Sequence, residues 1–272
     1  MRRHPCFAMI KKIVRWALSL FFASTILAVV AYRFIPVYVT PLMLIRCVQT
    51  GSLTIHHHWV PLEQMSRHMP VAVMASEDSH FLLHHGFDFN AIGSAAKRNM
   101  ANGKGGKRFG ASTISQQTAK NVFLWPGRSW VRKGFEVYFT ALIEVFWSKQ
   151  RIMEVYLNSI EMGDRIYGVD ACAEYNFGKT ADALTRADCA LIAATLPNPR
   201  RFSSKEPSAY MRKRQRQIMN NMRYIPSFPK EGEDYGVGKG TLVASFSATP
   251  PGVKRTFEVY DDFLVRGDGA YR

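Results

Sequence analysis

The chain has 272 residues, 47% of them hydrophobic and 12% aromatic, which suits one compact domain with appendages or two small domains, with a sizeable core. A net charge of +15 and a pI near 9.8 demand an anionic partner: nucleic acid, an anionic membrane surface or a phosphorylated substrate. Cys6, Cys47, Cys172 and Cys189 show no C-x-x-C spacing, so neither a zinc site nor a redox motif is signalled, and they read as small buried hydrophobes.

Residues 13–32 form an apolar run whose only charge is Arg15, at its edge. Its length, roughly 20 residues, matches a transmembrane helix. The basic segment 1–12, with Arg2, Arg3, Lys11 and Lys12, precedes it and places the N-terminus in the cytoplasm. A cleaved secretory signal is the rival, but the apolar run is long for one. Either way the remaining chain is exported. This expectation is a single-pass protein of the bacterial inner (cytoplasmic) membrane, its main domain on the periplasmic or extracytoplasmic side. Such a domain does not meet genomic DNA, so the charge points to lipid headgroups or a phosphate-bearing substrate rather than nucleic acid.

Residues 33–60, with Pro36, Pro41 and the run His56–His57–His58, read as a juxtamembrane linker. From 61 to 225 the pattern is mostly helical. Pro70 can open a helix, and a second is expected over 88–99 with Asp88 or Asn90 as cap. Residues 101–110 read as a glycine-rich basic loop carrying Lys104, Lys107 and Arg108. Helices follow over 113–124, 130–147, 150–158, 171–177 and 187–196. Phe135, Phe139, Leu142, Ile143 and Phe146 recur at helical spacing and read as core. Strand signals are weak, so the domain is expected to be all or nearly all helical. The tail 226–272 changes character, and 241–246 alternates as a small hairpin would; its role is not assigned.

Several residues carry chemistry. Glu77–Asp78 is an acidic pair ending an apolar helix, where the helix dipole disfavours it; a salt bridge, a cap for the next segment or a general base would explain it. Thr113-x-x-Gln116 is a capping box, which leaves Gln117 and Lys120 unexplained. The helix start together with Lys120 and Arg128 could hold a diphosphate. Glu136 is spaced for a surface pair with Arg132 or for a role beside that diphosphate.

In order, five segments resemble the motifs of the peptidoglycan glycosyltransferases, closest to the monofunctional, membrane-anchored branch. They are Glu77-Asp78-x-x-Phe81-x-x-His84-x-Gly86-x-Asp88, then Gly110-x-Ser112-Thr113-Ile114-x-Gln116-Gln117-x-x-Lys120-Asn121, then Arg132-Lys133-x-x-Glu136. Lys149-x-x-Ile152-x-Glu154-x-Tyr156-Leu157-Asn158, with Gly163, Gly168 and Phe177-Gly178-Lys179, is the fourth, and Ala194-Thr195-Leu196-Pro197-Asn198-Pro199 the fifth. The resemblance implies a mainly α, lysozyme-like domain that joins lipid II units to a growing lipid-linked glycan strand with inversion and releases undecaprenyl pyrophosphate. It implies that Glu77 is the general base and Glu136 a second essential carboxylate. Lys120 and Arg128 would hold the donor pyrophosphate, and Ser112, Thr113, Gln116, Gln117 and Lys133 would line the substrate. No cofactor is required; a divalent cation (Mg or Mn) at the pyrophosphate, on Glu136 or Asp78, stays open. Cell-division or wall-synthesis proteins are conceivable partners. The chain departs from the family pattern at Ser94, Phe135, Cys172 and Asn176.

Three other readings are weaker. A muramidase would use Glu77 as a raised-pKa acid. A non-catalytic membrane scaffold would not need Glu77, Gln117, Lys120 and Glu136. A penicillin-binding transpeptidase is suggested only by Ser94-x-x-Lys97, with no Lys-Thr-Gly after it.

Overall fold

The computed structural model describes residues 5–103 and 110–229, with side chains from residue 9 onward. The basic loop residues Lys104–Arg108 and the alternating segment 241–246 lie outside the described residues. The described chain is mainly α, with ten α-helices, one 3-10 turn (Leu62–Gln64) and one small sheet.

Helix α1 (Pro5–Tyr32) begins before the expected start at 13. Its stretch Met9–Tyr32, of mean hydropathy 2.0, is long and apolar enough to cross a membrane; 24 residues at helical rise span about 36 Å. The last turns are not left bare. Val29 is fully buried, and the Trp147 indole donates to its carbonyl oxygen at 2.8 Å. The hydroxyls of Thr25 and Tyr138 share a hydrogen bond of 2.8 Å.

The segment 33–60 holds more order than a linker. It contains α2 (Pro41–Thr50), whose first turn is capped by the Thr40 hydroxyl and which ends on Gly51 in a left-handed conformation. Val37, Met43 and Cys47 are buried, so α2 lies on the domain, against α5. β1 (His56–His57) pairs in parallel with β3 (Ile166–Tyr167). The Asn158 side chain exchanges two hydrogen bonds with the backbone of Val60, each at 2.9 Å. β2 (Glu161–Gly163) completes a sheet of order β1-β3-β2. Strands this short carry no legible alternation, which is why the sequence pattern missed them.

α3 (His68–Glu77) is buried nearly all round, from Met69 and Pro70 to Ser76. Pro70 sits inside the first turn rather than at its start, where a missing N–H still leaves no intrahelical bond unmade. A helix apolar on every side belongs in the centre of a domain, and α3 packs between α9 (Arg186–Thr195) and α10 (Ala209–Asn221). Its C-terminus therefore delivers Glu77 and Asp78 from a rigid element. Around it stand α4 (Phe89–Ala101), α5 (Ile114–Phe123), α6 (Trp130–Phe146), α7 (Lys149–Ser159) and α8 (Val169–Phe177). Gly168, before α8, has φ +82°, and a Cβ there would lie 2.6 Å from the Asn158 carbonyl oxygen; only glycine lets the chain pass.

Candidate active site

α3 ends at Glu77, and Asp78 leaves it with φ −158° and ψ 80°. Asp78 is buried, and its Oδ2 accepts the Ile114 backbone N–H at 3.0 Å. His84 Nε2 lies 3.0 Å from both of its oxygens. The acidic pair that looked misplaced at a helix end is thus at the start of α5, where a negative charge is favoured.

The same helix start is fixed by Thr113. Its hydroxyl accepts the Gln116 N–H at 3.1 Å and donates to the Gly86 carbonyl at 2.7 Å, while Gln116 Oε1 accepts the Thr113 N–H at 3.0 Å. The hydroxyl of Thr113 and the amide oxygen of Gln116, both residues expected to line the substrate, are engaged in this capping box. Gly86 has φ +85°, and a Cβ on it would meet Glu144 Cγ and Thr140 Cγ2, each at 2.9 Å. The loop between Asp78 and Asp88 is therefore pressed against α6.

Glu77 is half-buried. Gln117 Nε2 donates to its Oε2 at 3.1 Å, and the Tyr156 hydroxyl donates to Gln117 Oε1 at 3.2 Å. On the other side, Ser76 Oγ lies 3.0 Å from Glu77 Oε1 and 3.3 Å from the Ala193 carbonyl. Buried Arg214 from α10 reaches Ser76 at 3.5 Å. Two neutral groups, the Gln117 amide and the Ser76 hydroxyl, thus orient the carboxylate. Glu77 shares a cleft with Ser79, Asp88, Ala91, Ala111 and Ser112, and Ser112 is exposed at this cleft.

Lys120 lies on α5, within electrostatic reach of both Glu77 and Glu136. Burial pushes its pKa below the ordinary value, with Glu136 and Glu77 pulling it back up and Arg132 and Lys133 pushing it down. Glu136 on α6 is 3% exposed. Arg132 Nη1 donates to its Oε2 at 2.8 Å, and the Lys133 ammonium pairs with Oε1. Three cations around one buried carboxylate leave a net positive site, fit for a polyanion. Arg128 stands exposed in the turn between α5 and α6.

Behind this face lies an ionic group that the sequence did not single out. Glu144 accepts from the Ser115 hydroxyl and from Lys149 Nζ, the latter at 2.8 Å. Lys149 also stands 4.5 Å from the centre of the Phe81 ring, and burial pushes its pKa down. The available signal was a glutamate interrupting the apolar stripe of α6. Of the departures from the family pattern, Phe135 has a direct account: its ring lies 5.9 Å from Phe21 of α1 and 6.0 Å from Trp125. Asn176 donates to the Ser204 hydroxyl at 2.8 Å, and Cys172 lies beside the same hydroxyl. Ser94 is exposed on α4.

Comparison with known proteins places the chain in a family. A relative from Bacteroides thetaiotaomicron, described as a biosynthetic peptidoglycan transglycosylase, is 62% identical over 227 residues, covering 81% of this chain and 90% of its own length. One of the same description from Bdellovibrio bacteriovorus is 50% identical over 228 residues, covering 82% and 89%. Another from Pasteurella multocida is 47% identical over 227 residues, covering 80% and 91%. The family model described as Transglycosylase matches residues 47–223, a span that starts in α2 and holds Glu77, Lys120 and Glu136, and the chain belongs to that family.

Proposed function

We propose that this chain polymerises lipid II into peptidoglycan glycan strands by inverting glycosyl transfer, with Glu77 as general base. The observation that carries the reading is the pairing of an oriented carboxylate, Glu77 held by Gln117, with a cationic cluster around Glu136. In this reading Glu77 takes the proton of the acceptor's 4-hydroxyl, and that oxygen attacks the donor's anomeric carbon. The bond from that carbon to the lipid pyrophosphate breaks, and its electron pair leaves with the pyrophosphate. Lys120 and Arg128 meet the charge that develops there, so the leaving group needs no protonating acid. Glu136 works through its neighbours: it fixes Arg132 and Lys133 and favours the charged form of Lys120. Ser112, at the cleft shared with Glu77, would contact the sugar.

The reading also assigns an address. α1 anchors the chain in the cytoplasmic membrane with residues 1–12 inside and the domain outside, following the basic flank. Trp125, Trp130 and Val131, all exposed, stand at the end of α6 where Phe135 touches Phe21 of α1. They would rest in the outer leaflet and bring the site level with the lipid-linked pyrophosphate.

The test is lipid II polymerisation by the purified chain in detergent. Glu77→Gln should cut turnover by about 10²–10⁴-fold while melting stays near that of the wild type; near-normal polymerisation by this variant would sink the assignment of the base. Running the assay with and without a chelator reads the contribution of a divalent cation. Incubation with purified sacculi separates the muramidase reading, which predicts released muropeptides.

A further inference from the structure

The chain beyond α10 does not leave the domain at once. Ile225 and Phe228 both pack against the core, in a segment stiffened by Pro226 and Pro229. The matched family region stops at residue 223, so Phe228 comes from outside it. Its ring lies 6.4 Å from that of Phe81, nearly parallel at 19°. Phe81 is fully buried and belongs to the turn that follows Glu77–Asp78: its N–H donates to the Asp78 carbonyl at 3.2 Å. It also meets the His84 ring edge-on at 6.3 Å, and His84 is the residue that grips the Asp78 carboxylate.

From this chain of contacts we propose that Phe228 is a positioning residue for the turn that carries the base. It presses Phe81 against His84 and Lys149, and so fixes the Asp78 carboxylate on α5 and the orientation of Glu77 beside it. In this proposal Phe228 acts through Phe81 and not on the reacting groups themselves. Aromatic pairs of this kind favour one arrangement over its neighbours, and small misplacements of a reacting group reduce turnover steeply. The inference rests on the glycosyl-transfer reading only for its effect on turnover.

The experiment uses the full chain in detergent with lipid II, comparing Phe228→Ala, Phe228→Leu, Phe81→Leu and the double variant Phe81→Leu/Phe228→Ala. Phe228→Ala should lower kcat by about tenfold with KM little changed, and Phe228→Leu should recover part of the loss. The double variant should lose no more than the worse single one, because the two residues act in series. Backbone amide exchange should quicken in residues 79–84 of Phe228→Ala and stay unchanged in α9. Unchanged exchange in that turn overturns the proposal whatever the activity. So does full kcat in folded Phe228→Ala, or losses that multiply in the double variant. A wild type that cannot polymerise lipid II would instead overturn the functional reading, and the exchange measurement would still decide this one.

Discussion

The Asp78 carboxylate accepts the backbone N–H of Ile114 at 3.0 Å, so the residue that follows α3 also takes up the first N–H of α5. Two helices that carry Glu77 and Gln117 are joined through one buried side chain, which also meets His84. Asp78→Asn keeps the shape but must turn an amide NH₂ toward either Ile114 N–H or His84. A buried charge-assisted bond is lost, at a cost of about 2 kcal/mol. Urea unfolding should show a lower midpoint, and lipid II turnover should fall because Glu77 and Gln117 lose their common frame. An unchanged midpoint would mean that the α3–α5 junction is held elsewhere.

Gly86 is a second fixed point. A Cβ at this residue would meet side-chain carbons of Thr140 and Glu144 at 2.9 Å, on a backbone of φ +85°. Glu144 cannot withdraw easily, since Ser115 and Lys149 hold it. Gly86→Ala adds left-handed strain to overpacking, together about 2–4 kcal/mol. Denaturant unfolding measures it directly. A loss below about 1 kcal/mol would show that the loop between Asp78 and Asp88 can lift off α6.

Lys120 gives a pH dependence whose two parts have opposite signs. Burial places its pKa below the ordinary 10.5, so its ammonium loses its proton earlier than an exposed lysine as pH rises. The leaving-group support proposed for Lys120 in the free enzyme, and with it kcat/KM, should fall on the alkaline side below pH 10.5. The unfolded chain holds that proton more tightly, so the folding contribution of Lys120 improves through the same window, from the lowered folded pKa up to the unfolded one. Lys120→Arg keeps its charge there, and its alkaline limb should move to higher pH. Stability differences between wild type and Lys120→Met read the second part. An alkaline limb identical in wild type and Lys120→Arg would assign the loss to another group.

The helices from α3 to α9 were legible because their apolar spacing and caps are local. Asp88 caps α4 and Thr113–Gln116 closes a capping box on α5, as their spacing indicated. The order in 33–60 was not legible: α2 is short, and its burial comes from α5, far along the chain. β1 exists only because residue 56 meets residue 166. α10, rich in Arg, Lys and Gln, has an apolar face too narrow to stand out, although Met211 and Ile218 are buried. In the site, Glu77, Lys120 and Glu136 could be singled out one by one. Their mutual placement could not, and neither could the Ser115–Glu144–Lys149 group, which joins three helices.

The last prediction concerns depth in the bilayer. α6 runs beside α1, with Phe135 next to Phe21 and Trp147 bonded to Val29. Phe21 lies eleven residues before the end of α1 at Tyr32, about 16 Å along the helix axis. The start of α6 is therefore carried well below the level of Tyr32 if α1 spans the membrane. There Trp130 is 92% exposed and Trp125 43% exposed, so in the proposed anchoring both indoles would meet lipid. In vesicles containing lipids brominated along their acyl chains, wild-type tryptophan emission should be quenched. Trp130→Phe should remove a quenched component, and so should Trp125→Phe. Replacing Trp130 by Ser should leave the detergent-solubilised fold within about 0.5 kcal/mol and yet lower polymerisation of lipid II in vesicles, where the domain has to meet a lipid-linked substrate. Trp130 emission indifferent to the brominated lipid would put the end of α6 in water and detach the site from the leaflet.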